Sequence, residues 1–473
     1  MTPSTTSRLL LRSTGAATLL QLWRMAILFA TNLALRRWVD IGSWGLWAWA
    51  EALFLVIAAV RDLGMSSHVV RLRPRPYGNF LLLQLVWGTA LGAGVALLAP
   101  LLALANADAD PQTVPLLRAL ALYLVLEGLA TVPLVFFEAE LRIERTVGAE
   151  LARSATYAGV ALTLAFAGAG VWSFVVAQLL GTAVYAGFLW WRAAGRIPLG
   201  RVAGATLAIA RGGLSIGGVW LLGLLVMYLD PLILGAHFAK ETVAAYAFAY
   251  FAAFLAARVL QPPMGRALYP ALVAYRGEER RDFEAYRLAT LFLVGIEVPA
   301  ALFLYSNAEP MLRLLGGEQW GEAGRYLRFL AFAPLVDPLG RFGGELLIAH
   351  HRERVRVLSL AVTFVSMLVG GVVLVRGFGP VGMAWANFLP LGALVVAWGV
   401  RGVAGPRFAG LLRDLSTVYL LPVPLFLAAH LAGGGDARLR FALGLVAALL
   451  AGLLQWRRFG RAFLDFFRQA PAQ

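Results

Sequence analysis

Long stretches of hydrocarbon follow one another from about residue 14 to residue 456, interrupted only by short gaps rich in arginine. A helix needs about 20 mainly apolar residues to cross the core of a bilayer. Fourteen stretches meet that length, near 14–35, 41–61, 78–104, 115–137, 149–168, 171–191, 213–236, 241–262, 287–306, 326–349, 355–375, 379–400, 413–432 and 439–456. Backbone polar groups inside lipid must be satisfied within the segment, so these spans read as helices, and the alternation of a membrane barrel is absent. Hydrophobic residues make up 60% of the chain and mean hydropathy is +0.74, which leaves too little polar surface to cover a soluble core. The expected fold is an all-α polytopic membrane protein. Arg8 and Arg12 precede the first run as in a signal peptide, but that run is long, carries Arg24 and lacks a small-residue cleavage site, so it is read as the first retained span.

The arginines give the orientation. Twenty-nine of the 41 basic residues fall on the side that holds the N-terminus, ten on the other, and Arg24 and Arg341 lie within spans. Cytoplasmic loops carry the excess of basic residues, so both termini are expected in the cytoplasm, in agreement with the even number of spans. The tail "WRRFGRAFLDFFRQ" mixes arginines with phenylalanines and is expected to lie on the inner leaflet as an amphipathic helix.

A net charge of +15 would suggest nucleic acid in a soluble chain, but here the basic residues are confined to membrane loops, and no nucleic-acid partner is expected. There is no cysteine, and the five histidines have no ligand spacing, so no metal or other cofactor is expected. The longest loops, around "NAEPMLRLLGGEQWGEAG" and "YRGEERRDFEAYR", are too short to fold as a catalytic domain, and the chain is not expected to be an enzyme.

A weak internal repeat sets "GAGVWSFVVAQLLG" against "GFGPVGMAWANFLP", aligning Gly168 with Gly377, Gly170 with Gly379, Ala177 with Ala386 and Gln178 with Asn387. The same offset aligns Glu144-Arg145 with Glu353-Arg354. Six spans separate the copies, so both cross the membrane in the same sense. The organisation expected is two six-helix lobes in parallel pseudo-repeat, residues 1–201 and 202–404, followed by two C-terminal helices and the cytoplasmic tail at 405–473. Substrate would lie between the lobes; a pseudo-dimeric channel is the competing reading.

An ionisable group near a bilayer centre costs about 2.5–3.5 kcal/mol on insertion scales, so each needs a partner, a wet cavity or a function. By position, Arg24, Glu51, Glu127, Glu297 and Asp337 lie near mid-span, Arg341 slightly inward, Asp230 in the outer third of its span, and Arg258 near the inner end of 241–262, where snorkelling would explain it. Arg24 and Glu51 share a depth and could pair. Asp337, Arg341 and Glu345, spaced i, i+4, i+8, could pair along one helix face. Both sets are either structural ion pairs or the lining of a wet cavity. Glu127 and Glu297 have no evident basic partner and, with Asp337, are candidates for ion coupling. Pro231 is expected to kink its helix and make Asp230 a lining or gating residue.

The segments "RDLGMSSHVVR", "GVWSFVVAQLLGTAVYAGFLWW", "YLDPLILGAHFAKETVAAYAFAYF", "PPMGRALYPAL" and "GEQWGEAGRYLRFLAFAPL" resemble polysaccharide biosynthesis transporters. These are flippases of lipid-linked oligosaccharide repeat units, in the superfamily that holds the lipid II flippase and the multidrug and toxic compound extrusion transporters. The resemblance implies a two-lobed, fourteen-helix fold in the bacterial inner membrane that moves undecaprenyl-pyrophosphate-linked glycan to the periplasmic leaflet by alternating access, for O-antigen, capsule or exopolysaccharide synthesis. It implies a lipid-linked glycan, membrane lipids and other polysaccharide-assembly proteins as partners, and a cation-lined cavity in which Arg24 and Arg258 are best placed for the pyrophosphate, beside Glu51, Asp230 and Arg341. A multidrug or organic cation antiporter of the same superfamily is the alternative, favoured by the many acidic mid-span groups.

Overall fold

A computed structural model of the chain describes residues 23, 26–275, 278–388, 391–434 and 436–468, and among these all regular structure is helical. In chain order the helices are α1 (26–38), α2 (Ile41–Asp62), α3 (Met65–Arg71), α4 (Tyr77–Ala103), α5 (Thr113–Ala139), α6 (Val147–Phe166), α7 (Trp172–Ala193), α8 (Ala205–Gly235), α9 (Lys240–Ala253) and α10 (Leu255–Ala274). They continue with α11 (Glu279–Ser306), α12 (Ala308–Gly316), α13 (Ala323–Leu330), α14 (Asp337–Ala349), α15 (Glu353–Phe378), α16 (Pro380–Asn387), α17 (Leu391–Ala404), α18 (Arg407–Leu420), α19 (Val423–Gly433), α20 (Ala437–Gln455) and α21 (Arg461–Arg468).

Nine helical segments among the described residues are long and apolar enough to cross a bilayer, or ten if the bent pair α9–α10 counts as one span. The remaining expected spans fall on α1, on α6, which carries Glu150 and Arg153, on α8, and on the α13–α14 stretch. The chain is therefore an all-α polytopic membrane protein. Residues 326–349 are not one helix. The peptide turns through a 3₁₀ segment at Ala333–Val336, and α14 restarts at Asp337 between Pro334 and Pro338, neither of which has an N–H to continue the ladder. At 240–274 the chain bends by 47° about Phe254 and runs on through Pro262, Pro263 and Pro270 to Ala274. Arg258 sits in the first turn of α10, four residues beyond the bend.

Two compact units divide the chain at Ala244 and Ala245. Within the first unit α8 packs on α2 and α3, and within the second α18, α20 and α21 pack on α11.

In the first unit α4 packs along α5, α5 on α7, and α6 on α7. Tyr77, Phe80, Phe136, Phe137, Tyr185 and Leu189 form its apolar centre. Small residues let the backbones approach where lipid gives no hydrophobic drive for helix association. A Cβ on Gly92 of α4 would lie 2.9 Å from the Ala121 carbonyl oxygen of α5, and one on Gly128 of α5 would lie 3.2 Å from that of Gln84. The carboxylate of Asp40 starts α2 by accepting from the Ser43 N–H at 2.7 Å. Asp230, expected to line a kink, is instead 3% exposed within an α8 that continues through Pro231 to Gly235. That last turn is held by neighbours: Gly235 lies against Trp49 of α2, and its carbonyl accepts from the Ala107 N–H at 2.8 Å.

In the second unit α11 is central, packed by α10, α14, α18, α20 and α21 around Phe283, Tyr286, Val294, Phe342, Leu346 and Val400. In the tail Phe459 is buried, Phe463 stacks on Phe292 with centroids 4.6 Å apart and Phe466 meets Tyr275 edge-on at 5.5 Å, while Trp456 is exposed. Arg457, Arg458 and Arg461 remain exposed.

Gly92→Val drives a branched side chain against a fixed carbonyl and is expected to destabilise the protein by about 1–3 kcal/mol, read as a lower melting temperature in detergent. Gly94→Val is the control, because a Cβ there meets nothing within 4 Å. A second expectation concerns the loop before α5, where Asp110 Oδ2 accepts from Lys240 Nζ at 2.5 Å and Asp110 Oδ1 from the Gln112 N–H at 2.8 Å. Burial alone would raise the Asp110 carboxyl, but the Lys240 hydrogen bond, the Gln112 N–H and the Lys240 charge more than offset it and hold it below its ordinary value. A carboxylate depressed in the folded state stabilises above its unfolded pKa and loses that contribution as pH falls through the folded one. Asp110→Asn should therefore cost about 1 kcal/mol near neutral pH, and the gap to wild type should close in acid, below the usual carboxylate range.

Candidate functional site

In the first unit the charged groups inside the helices are provided for by the fold itself. Arg61, on the last turn of α2, is 4% exposed. Its guanidinium donates to the side-chain oxygen of Gln84 on α4 and, at 3.3 Å, to the Thr131 hydroxyl on α5. Gln84 Nε2 in turn donates to Asp62 Oδ1 at 3.4 Å, so the amide relays between the cation and a carboxylate. The space is made by glycine: a Cβ on Gly128 would stand 3.4 Å from Arg61 Nη1, and one on Gly88 3.7 Å from its Cδ. Arg61 closes the expected span 41–61, and two polar side chains inside apolar runs, Gln84 and Thr131, are the sequence signal of the buried group they meet.

Glu127 does have a basic partner. Arg153 Nη2 of α6 approaches Glu127 Oε2 of α5 to 3.6 Å, with the guanidinium 5.0 Å from the ring centre of Tyr185. Arg153 falls within the expected span 149–168, and α6, which starts at Val147, carries it to Glu127. Glu51 is exposed on α2, with Tyr157 in its electrostatic reach. Arg24 lies outside the described residues, and so does its expected pairing with Glu51.

The second unit gathers its charges around the break before α14. The guanidinium of Arg258, half-buried four residues beyond the bend, lies 5.8 Å from the ring centre of Tyr250 and 5.7 Å from that of Phe251. Among the described residues it forms no ion pair. Arg341 does not close the expected pairs with Asp337 and Glu345; its Nη1 donates instead to Gln261 Oε1 of α10 at 2.9 Å, since Gln261, 3% exposed, faces it across the two helices. Asp337 and Arg341 are both exposed on α14. Charged groups within a span are stable only against water or protein, and these two give this face of α14 a polar character. Glu345 lies near Arg341 and Arg356, while Arg356 Nη1 donates to the Gly340 carbonyl at 3.2 Å. Glu297 of α11 is 3% exposed, with the Gln261 side chain in hydrogen-bonding reach and Asp337 and Tyr419 close by.

Below this cluster the unit is cross-tied. Asp282 of α11, fully buried, meets His350 Nε2 at 2.6 Å, and Arg287 Nη2 meets Asp414 of α18 at 2.5 Å. Among the described residues no group of three or more histidines, aspartates or glutamates is arranged to hold a metal ion.

A family model described as polysaccharide biosynthesis protein matches residues 34–325. No curated protein matches the chain. Among solved structures it is similar to the lipid II flippase MurJ in an inward closed conformation, with TM-score 0.74 at 12% identity over 96% of this chain and 99% of that one. It is also similar to a multidrug resistance MATE family transporter of the MOP superfamily in its inward-facing conformation, with TM-score 0.61 at 18% identity over 84% and 99%. A MOP superfamily transporter from Pyrococcus furiosus aligns with TM-score 0.53 at 18% identity over 86% and 96%. At such identities the likeness is one of fold. The family match takes in well over half of the residues, and with a polytopic helical fold shared with these membrane proteins, the chain belongs to the polysaccharide biosynthesis protein family.

Proposed function

We propose that the protein is a flippase that carries undecaprenyl-pyrophosphate-linked oligosaccharide repeat units from the cytoplasmic to the periplasmic leaflet of the bacterial inner membrane, with both termini in the cytoplasm, as a non-enzymatic step of cell-surface polysaccharide synthesis. The observation that carries this reading is Arg258. A guanidinium within a span costs several kcal/mol unless something answers its charge. Here aromatic rings hold its faces, and no carboxylate of the described chain reaches it. The cation is thus available to an anion that comes and goes, and guanidinium is well suited to phosphate oxygens because it can give two parallel hydrogen bonds. The 47° bend at Phe254 supports the same reading, since irregular backbone at membrane depth is tolerated where it lines a cavity. Arg341, exposed one helix away and held by Gln261, is a second cation on the polar face of α14. Family membership supports a glycan cargo, and the fold shared with a lipid II flippase supports a lipid-linked one. Other polysaccharide-assembly proteins are the expected partners.

A second reading, an organic cation antiporter, draws on Glu297 and Asp337, which place acidic groups beside the same face. The two readings separate in one experiment. In proteoliposomes with a fluorescent undecaprenyl-pyrophosphate oligosaccharide, wild type should exchange the lipid between leaflets, and Arg258→Ala should slow it roughly tenfold or more, the loss of about 1.4 kcal/mol of anion contact. Arg258→Lys should retain part of the rate. Uptake of an organic cation under an ion gradient, with no exchange of the lipid by wild type, would move the assignment to the antiporter.

A further inference from the structure

We infer that the first unit carries a binding site for one neutral sugar ring, at the end of its helices opposite the arginine-rich loops. That the ring belongs to the glycan of the lipid-linked cargo rests on the flippase reading; the binding itself does not.

Four helices begin around one cavity of about 270 Å³, walled by Asp40, Ser43, Asp110, Gln112, Lys240 and the corner Gly168–Val171. Asp40 caps α2, Gln112 precedes α5, Val171 precedes α7 and Lys240 opens α9. A water takes about 30 Å³ of its liquid, and pockets for drug-sized ligands begin near about 300 Å³, so the space suits a single ring. Glycine keeps it open. Gly168 and Gly170 take φ of 77° and 55°, where a side chain is strained, and a Cβ on Gly170 would stand 3.0 Å from Ser43 Oγ. The N–H groups of Gly170 and Val171 lie ahead of the first bonded amide of α7, and nothing in the described chain accepts from them. Val171 is 1% exposed, and a buried N–H without an acceptor is rare.

The wall selects against charge. Asp40 accepts from the Ser43 N–H and from the Ser43 hydroxyl, both at 2.7 Å. Asp110 accepts from the Gln112 N–H at 2.8 Å and from Lys240 Nζ at 2.5 Å, and Asp108 Oδ2 lies 3.9 Å from the same ammonium. An anion entering here would meet three carboxylates. A cation would find its place taken by Lys240, and among the described residues no three acidic or histidine side chains are arranged to hold a metal ion. What the cavity still offers is a mixture of donors and acceptors. The two N–H groups and the remaining ammonium protons donate, the carboxylates keep free lone pairs, and the Gln112 amide, whose side chain makes no hydrogen bond in the described chain, does both. A sugar hydroxyl also gives and accepts at once, and several fixed on one rigid ring meet such a wall with little ordering cost. Leu46 offers the ring carbons an apolar contact. In the proposed orientation this end of the unit faces the periplasm, the side on which the glycan arrives.

The test uses the full-length protein in lipid nanodiscs, free of sugar-based detergent, and saturation-transfer NMR with a neutral hexose, an N-acetylhexosamine and a hexose phosphate as probes. Wild type should transfer magnetisation to the two neutral sugars and not to the phosphate. Gln112 is exposed and its side chain makes no capping bond, so its variants should keep the wild-type melting profile. Gln112→Ala should weaken binding roughly tenfold, the loss of an amide that both gives and accepts a hydrogen bond, and Gln112→Trp, which fills the opening, should abolish it. No transfer to either neutral sugar, transfer undiminished in Gln112→Trp, or tighter binding of the hexose phosphate would overturn the site. In proteoliposomes Gln112→Trp should slow exchange of the lipid-linked oligosaccharide, and an unchanged rate would overturn the link to the cargo. Absence of exchange by wild type would sink the flippase reading and leave the NMR result to decide the site.

Discussion

A charged side chain among membrane helices must be answered, and most of the polar architecture of this protein follows from how each one is. Insertion of an arginine or a carboxylate at mid-span costs a few kcal/mol, comparable to a sizeable part of the stability of a domain. The chain meets that cost with three devices. An ion pair answers Glu127 through Arg153, and a hydrogen-bonding contact with His350 answers Asp282. Amides answer Arg61 and Arg341, through Gln84 and Gln261, each nearly or fully buried. Glycine supplies the room, at Gly88 and Gly128 around Arg61, at Gly265 facing Glu345 and at Gly344 facing Arg356. In water a glycine inside a helix is a cost; here it lets two helices and a long charged side chain occupy the same cross-section.

The spans were legible because hydrophobic length is a direct physical requirement of the bilayer, and helices stand at the expected positions throughout the described chain. What the sequence hid were the interactions between spans. Arg153 and Arg61 stand near the ends of their expected spans, where hydropathy reads a charge as a boundary, yet α6 and α2 carry them to partners on other helices. The partner of Glu127 is not legible in the sequence for the same reason. Proline is as ambiguous. α8 runs on through Pro231 to Gly235, where the turn is packed on Trp49, whereas Pro334 and Pro338 flank a break. Hydropathy reports the cost of a residue in lipid; it does not report which neighbour removes it. The same limit applies to the tail, where composition marks an amphipathic helix but does not say that Phe463 and Phe466 meet rings of their own unit.

The two matched glycine segments show how far a weak repeat can be pressed. Both fall at a corner between helices, α6 to α7 and α15 to α16. In the first, Gly168 and Gly170 both take positive φ, at 77° and 55°; in the second only Gly379 does, at 63°, while Gly377 stays within α15. The corner is shared and its backbone is not. A repeat of this kind preserves where the chain turns, because the bilayer fixes span length, and leaves free how it turns.

The distinction that matters for function is whether a charge is satisfied by the protein alone. In the first unit Arg61 and Glu127 are provided for within the fold, so their removal would be felt first as instability. In the second, the guanidinium of Arg258 lies beside aromatic rings and, among the described residues, in no ion pair, while Glu297 is buried beside Gln261 and Asp337. A fold that can place Gln84 and Gln261 against arginines is able to satisfy buried charge where only stability is at stake. On the proposed flippase reading, the partner of Arg258 is an anion supplied from outside the chain. A transporter needs such groups, because a site already satisfied by the protein has no free energy left with which to bind a cargo and release it.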